Sequence, residues 1–325
     1  MTETERFDLL CMGRSSIDLY AHEIGVPITA VRSFDAYVGG CPTNVAVGTR
    51  RLGMRSALLT AVGDDQVGEF VRHFLTEEGV ETRFIPSKAG RRTSAVILTI
   101  QPPDHFPLTF YRDNCADIAL TIGDVDASPV ASSRFVFLSG TGLSREPSRA
   151  ATSHAAARAR AAGADVVVDL DYRPDQWPSA ADYAHHVQAL TGAAALAVGT
   201  EEEARAAGAD EDTEAAVARL LDTGVPAFVL KRGARGSTIC RQDGSRTDID
   251  PFPVDVLNVL GAGDAFASGL LYGLHQGHTL EAAASIGNAV GAIVVTRHGC
   301  ANFMPTLGEV RAFLEARGAP LAAGV

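Results

Sequence analysis

Six consecutive residues, Gly261-Ala262-Gly263-Asp264-Ala265-Phe266, set small residues and a carboxylate before an apolar pattern, Phe266, Leu270, Leu271 and Leu274, with helical spacing. Small residues at a helix start let backbone N–H groups approach an anion, and the helix dipole favours negative charge there. A phosphate fits such a turn. Asp264 at its mouth can take the proton of a hydroxyl that attacks a phosphoryl group. The same spacing also reads as a tight turn with Asp264 as its N-cap. A second glycine pair, in Gly39-Gly40-Cys41-Pro42-Thr43-Asn44, leads into a helical run over 45–52. Gly39 and Gly40 permit close approach of a ligand to the backbone, and Asn44 either serves a hydroxylated substrate or caps the helix. Taken as bare sequence, Lys231-Arg232-Gly233-Ala234-Arg235-Gly236-Ser237 is a polar hairpin turn, and Glu201, Glu202 and Glu203 form the acidic first turn of a helix.

The third glycine of a dinucleotide fingerprint is replaced by Phe266, and no Walker A sequence occurs, so these two nucleotide-binding classes are disfavoured. Lys+Arg of 28 against Asp+Glu of 39 gives 28 − 39 = −11, which argues against nucleic acid or an anionic membrane as the main partner. Lys88 and Lys231 are the only lysines, so nearly all positive charge is arginine, whose planar fork grips carboxylate or phosphate. The five cysteines are scattered with no C-x-x-C pair and read as free thiols in a reducing compartment. With a polar, partly acidic N-terminus and no apolar run near the ~18 residues of a membrane span, the expectation is a soluble cytoplasmic protein.

The elements that must position these residues follow from periodicity. Short apolar runs at 7–12, 56–62, 135–138, 165–170, 195–198 and 227–230 read as buried strands. Helical patterns at 67–78 and 148–162 alternate with them, which predicts a mostly parallel, doubly wound α/β sheet with helices on both faces. Segments 93–100 and 108–112 read instead as a hairpin around the Pro-rich loop 101–107, and 17–37 is irregular. Together they suggest a small antiparallel flap. The C-terminal third is helical over 265–274 and 280–297, and Thr306 and Glu309 have capping-box spacing before a last helix. At 325 residues, against roughly 150 per domain, the length allows one large or two ordinary domains; no linker forces a boundary.

The early Gly39-Gly40…Asn44 and the late Gly261-Ala262-Gly263-Asp264 resemble the two signatures of the ribokinase-like, or PfkB, sugar kinases, over about residues 7–305. The resemblance implies one ribokinase-like domain over 1–325, with a β-lid formed by segments about 14–37 and 92–117. It makes Asp264 the catalytic base and the amides of Gly261, Ala262 and Gly263 an anion hole, with ATP and Mg2+ as donor and cofactor. Asp18, Gly39, Gly40 and Asn44 match the sugar-binding positions. Lys231, Gly233 and Gly236 match the loop beside ATP, Asn288 lies in the helix that flanks the adenine, and Glu202 matches the glutamate that reaches the metal through water. Two departures stand out. The Asn of the family's Asn-x-x-Glu motif is Gly199 here, and Asn258-Val259-Leu260 replaces an Asp-Thr pair, leaving the usual monovalent-cation site without its carboxylate.

The segments 13–20, 198–203 and 258–264 are similar to those of members that phosphorylate the terminal 6-hydroxyl of a deoxy-keto sugar acid in inositol breakdown. The resemblance leaves 2-keto-3-deoxygluconate kinases and fructokinase-like members as alternatives, and a non-catalytic sugar-binding regulatory protein as one of another class. A carboxylate moved into a low-dielectric cleft needs local cations, and Arg112 and Arg173 match positions that grip it in related sugar-acid kinases. The partners implied are a sugar acid and ATP, with a homodimer paired through the lid.

Overall fold

The computed structural model describes residues 6–102, 105–319 and 321; the N-terminal stretch and positions 103 and 104 of the Pro-rich loop lie outside them. Strands β1 (Phe7–Met12), β4 (Ser56–Leu59), β9 (Ser133–Ser139), β10 (Asp165–Asp169), β11 (Leu196–Thr200), β12 (Ala227–Lys231), β13 (Ser237–Arg241) and β14 (Arg246–Ile249) form an eight-stranded sheet in the order β14-β13-β12-β11-β10-β9-β1-β4. Every pairing from β4 through β1 to β12 is parallel, and only β12–β13 and β13–β14 are antiparallel. Consecutive strand residues feed opposite cores. Leu9, Cys11, Phe135, Phe137 and Val198 pack on one face, while Leu10, Met12, Val136, Leu138 and Ala197 pack on the other. Burial on both faces explains why these strands read as continuous apolar runs rather than alternating ones.

Helices α1 (Cys41–Arg51), α2 (Gln66–Glu77), α8 (Ala262–His275), α9 (Leu280–Val294) and α10 (Leu307–Glu315) cover the first face. On the second lie α3 (Ile122–Asp126), α4 (Ser148–Ala161), α5 (Ala180–Thr191), α6 (Glu201–Gly208) and α7 (Thr213–Asp222). Thr306 and Glu309 form the expected capping box. The order runs one way from β1 to β4 and the other way from β9 onward, so the topological switch point lies between β1 and β9, and ligands bind outside the carboxyl ends of such strands.

A second, four-stranded sheet in the order β3-β2-β7-β8 is built from β2 (Ser16–Ala21), β3 (Phe34–Gly39), β7 (Ser94–Leu98) and β8 (Leu108–Tyr111). Two expectations are corrected here. The flap is mixed rather than antiparallel, because β2 and β7 run parallel. The stretch that reads as irregular supplies two regular strands, β2 and β3. In β2 the polar Ser16 and Asp18 are buried while Ile17 and Leu19 are half-exposed, so its hydrophobic alternation is inverted and conceals the strand. The run 56–62 also breaks after Leu59, and its end pairs separately as β5 (Val62–Gly63) with β6 (Ser87–Lys88).

Candidate active site

Asp264 lies in the first turn of α8, but it does not cap that helix. The N-cap is Gly261, held at φ 81°, a left-handed conformation that suits glycine, and no side chain caps the helix. The donor row at the start of α8 is therefore left without a side-chain acceptor, as an anion cradle requires. Freed from capping, the Asp264 carboxylate accepts a hydrogen bond from Asn44 Nδ2 at 2.6 Å. Asn44 is not a cap either: α1 begins at Cys41 after Gly40, which puts Asn44 inside its first turn, with its own Oδ1 buried and unpartnered. Burial pushes the Asp264 carboxyl above its usual range, with Asn44 and the Cys41 thiol pulling the other way.

Lys231 ends β12 and points into the same corner. Its Nζ lies 2.9 Å from Asp169 Oδ2, 3.9 Å from Glu203 Oε2 and 3.1 Å from where a Cβ on Gly263 would stand. Burial alone would lower its affinity for a proton, yet Asp169 and Glu203 hold the ammonium above its ordinary range. A positive charge thus sits beside the amide cradle. The loop that follows is the short antiparallel hairpin read from sequence, with Gly233 and Gly236 both at positive φ. Asn288, in α9, donates to the backbone oxygens of Ile249 and Asp250, so it ties that helix to the end of β14 and the residue that follows.

Asp18 approaches from the small sheet. Its Oδ1 accepts from Ser16 Oγ at 2.6 Å, and Gly39 leaves room for its other oxygen, since a Cβ there would come within 1.9 Å of Oδ2. Burial raises the Asp18 carboxyl, opposed by Arg14, Ser16 and Arg173, while Asp264 adds to the rise. Arg173 follows β10 and pairs through Nη2 with Asp171 Oδ1 at 3.0 Å, leaving its Nε buried and unpartnered. Asp171 sits at φ 37° and also accepts from Ser139 and Thr141. Its burial favours protonation, but Arg173 and these hydroxyls outweigh that and hold the carboxyl below its usual range.

The two arginines expected to act alike differ. Arg112 is saturated: its Nε and Nη2 donate to Asp117, and its other donors reach the Thr141 carbonyl, Ser144 and Gln176. It presents no open fork, because Asp117, five residues on, already fills it. Arg173 borders a cleft of about 350 Å³ lined also by Leu108 and Phe110 of β8, Tyr172, Glu202 and Glu203. Glu203 forms a capping box with Thr200, whereas Glu202 is exposed at the lip with no ion pair among the described residues. Asn258 bonds the His298 carbonyl and the Leu260 amide, which braces the turn ahead of Gly261. Among the described residues no three of His, Cys, Asp and Glu gather as a metal site, and no helix is long and apolar enough to cross a membrane. All five cysteines are buried and free, as their scattered spacing suggested.

Sequence reasoning missed Arg14, Asp169, Asp171 and Glu203. The signal available for the acidic pair was Asp169-Leu170-Asp171-Tyr172-Arg173 at the carboxyl end of a predicted strand. For Arg14 it was a position two residues past the first one.

Residues 6–307 match the family model described as pfkB family carbohydrate kinase. A 5-dehydro-2-deoxygluconokinase of Shouchella clausii (strain KSM-K16) is 35% identical over 316 residues, covering 96% of this chain and 97% of the relative. Among solved structures, a fructokinase of Xylella fastidiosa with bound ATP superposes with a TM-score of 0.85 at 25% identity, over 95% of this chain and 98% of that one. An engineered fructokinase of Vibrio cholerae O395 with fructose, ADP and potassium ion bound also gives 0.85, at 27% identity, over 95% and 99%.

Proposed function

Because the chain belongs to the pfkB family of carbohydrate kinases, we propose that it transfers the γ-phosphoryl group of ATP to the terminal 6-hydroxyl of 5-dehydro-2-deoxygluconate. The observation that carries the reading is the convergence of Asp264, its partner Asn44 and the uncapped start of α8, with Arg173 at the rim. The name and near-complete coverage of the Shouchella relative support the acid substrate, and the ATP-bound Xylella structure supports the donor.

Asp18 and Asn44 hold the sugar hydroxyls, and Arg173 brings positive charge toward the carboxylate. Asp264 takes the proton of the 6-hydroxyl as that oxygen bonds to the γ-phosphorus and the bond to the ADP oxygen breaks. The amides of Gly261, Ala262 and Gly263, with Lys231 beside them, hold the charge on the transferring group. The hairpin with Gly233 and Gly236 and the helix with Asn288 border the nucleotide. Mg2+ would neutralise the phosphate oxygens; few protein ligands are needed when phosphates and water fill its shell, and the exposed Glu202 carboxylate suits a water-mediated contact. The carboxylate-free Asn258 suits an enzyme that needs no monovalent cation.

The small sheet serves as the lid over this cleft. Its edge strands carry exposed Phe34 and Tyr111, which supports a homodimer paired lid to lid. In the cytoplasm, such an enzyme would take part in inositol breakdown. The test is ATP consumption by the purified protein across acid and neutral sugars. The highest kcat/KM is expected for the deoxy-keto gluconate. A tenfold preference for 2-keto-3-deoxygluconate or fructose overturns the substrate, and sugar binding with no turnover of any compound overturns the activity.

A further inference from the structure

Arg14, two residues beyond β1, is 7% exposed, yet its guanidinium is barely used. Nη1 donates to Ser16 Oγ at 2.7 Å, and that hydroxyl passes a hydrogen bond to Asp18. Its Nε is buried with no partner. The head lies over the Phe110 ring of β8, 5.3 Å from the centroid, so one face is covered by the small sheet. A ring on the face leaves the edge, where a guanidinium carries its five N–H donors, for an in-plane acceptor. Arg14 also lies within electrostatic reach of Asp18 and Asp171, although neither carboxylate bonds it; Asp171 is engaged by Arg173, Ser139 and Thr141.

A buried cation with idle donors is costly unless something supplies the opposite charge. Arg112, which carries a comparable burden, is neutralised within the protein by Asp117. Among the described residues no carboxylate bonds Arg14. We propose that Arg14 receives the carboxylate of the acid sugar, in the role the sequence had suggested for Arg112. This rests on the acid-sugar reading of function and adds its specificity-determining residue. The carboxylate end of the substrate then lies under Phe110, beside Asp18, and the reacting hydroxyl lies toward Asp264. Bidentate Arg–carboxylate geometry makes the contact selective for a planar anion rather than for any polar group.

The test compares the deoxy-keto acid with its uncharged analogue reduced at C1, by KM where each is phosphorylated and by Ki where it is not. In Arg14→Met the constant for the acid should rise about 100-fold, roughly two lost charged hydrogen bonds, and that for the analogue at least tenfold less. Arg14→Lys, which keeps the charge without the fork, should recover part of the loss. Ser16→Ala should shift both compounds alike, because it disturbs Asp18 rather than the carboxylate. Equal losses for both compounds in Arg14→Met mean that Arg14 only orients Asp18, and they overturn the proposal while the acid-sugar function stands. A wild-type enzyme that accepts neutral sugars and no acid overturns the functional reading and this one with it. Melting temperatures without ligand identify misfolding, in which case Arg14→Lys decides.

Discussion

The corner of the large sheet that holds Asp264 and the small sheet that faces it are built differently. In the corner, Asp264 is tied to Asn44, Lys231 to Asp169, and Asp171 to Arg173, Ser139 and Thr141. Two extensive apolar clusters back it. The small sheet rests on a minor cluster of Tyr20, Val96, Leu98, Ile100 and Cys300, and the residues of β8 alternate between half-buried and exposed. Groups that must hold a geometry to within about half an ångström belong on the first kind of support. Groups that sense the substrate and exclude water can ride on the second, where local opening costs less. Arg14 and Asp18 sit at the seam and take part in both.

Several substitutions would break or sharpen this contrast. The largest effect is expected at the corner: Asp264→Asn should lower kcat by about 10³-fold, within the usual range for a lost general base. Its fold should survive. The native carboxyl has a raised pKa, so above the unfolded-state value its ionisation opposes folding, and that cost eases as pH falls. A neutral Asn is spared it, and the variant should melt no lower than wild type at neutral pH; a large drop would mean Asp264 is structural. Lys231→Met leaves Asp169 buried without its cation and should cost about 3–5 kcal/mol in denaturant unfolding. A cost below about 1 kcal/mol would make the pair no stronger than a surface bridge.

Gly39→Ala, at the seam, forces Asp18 aside and should raise the sugar KM about tenfold, a lost hydrogen bond to a charged group, with the ATP KM changed far less. Equal changes in both constants would deny the seam its separate role. For pH, kcat/KM should fall on the acid side through a pKa above the ordinary carboxylate range, as Asp264 gains a proton. Asn44→Ala removes the hydrogen bond that favours the ionised form, so this limb should move to still higher pH; a limb that stays put would unlink the two residues. The smallest effect belongs to the exposed edge of the small sheet. Tyr111→Ser should change stability by less than about 0.5 kcal/mol and, on the proposed lid-to-lid pairing, sediment as a monomer where the wild type sediments as a dimer; two variants that sediment alike would remove that pairing.

Much of this architecture is legible in the sequence because the large sheet is buried on both faces. The apolar runs at β1, β9, β10, β11 and β12 mark their strands to within about two residues, an ordinary boundary error. Strand β2 escapes because two of its inward positions, Ser16 and Asp18, are polar, which inverts the alternation a half-buried strand should show. Spacing left Asp264 and Asn44 open between a site role and a helix cap, and the structure excludes the cap for both and brings the two side chains together. The choice between Arg14 and Arg112 cannot, since it turns on Asp117 folding back onto Arg112 and leaving Arg14 without an equivalent partner. Local sequence describes the two arginines almost equally; only the tertiary arrangement assigns the counter-ion.

The 2.6 Å bond from Asn44 to Asp264 joins residues 220 positions apart, and through it α1 meets α8. During translation at roughly 5–20 residues per second, Asn44 emerges on the order of 10–40 s before its partner exists. On the proposed roles, a nascent chain that stops before α8 carries Asp18 and Asn44 without their base, however much of β1–β4 has formed. On the same reading, emergence of α8 is the event that switches chemistry on, since the last third of the chain carries the group that Asn44 in the first third orients.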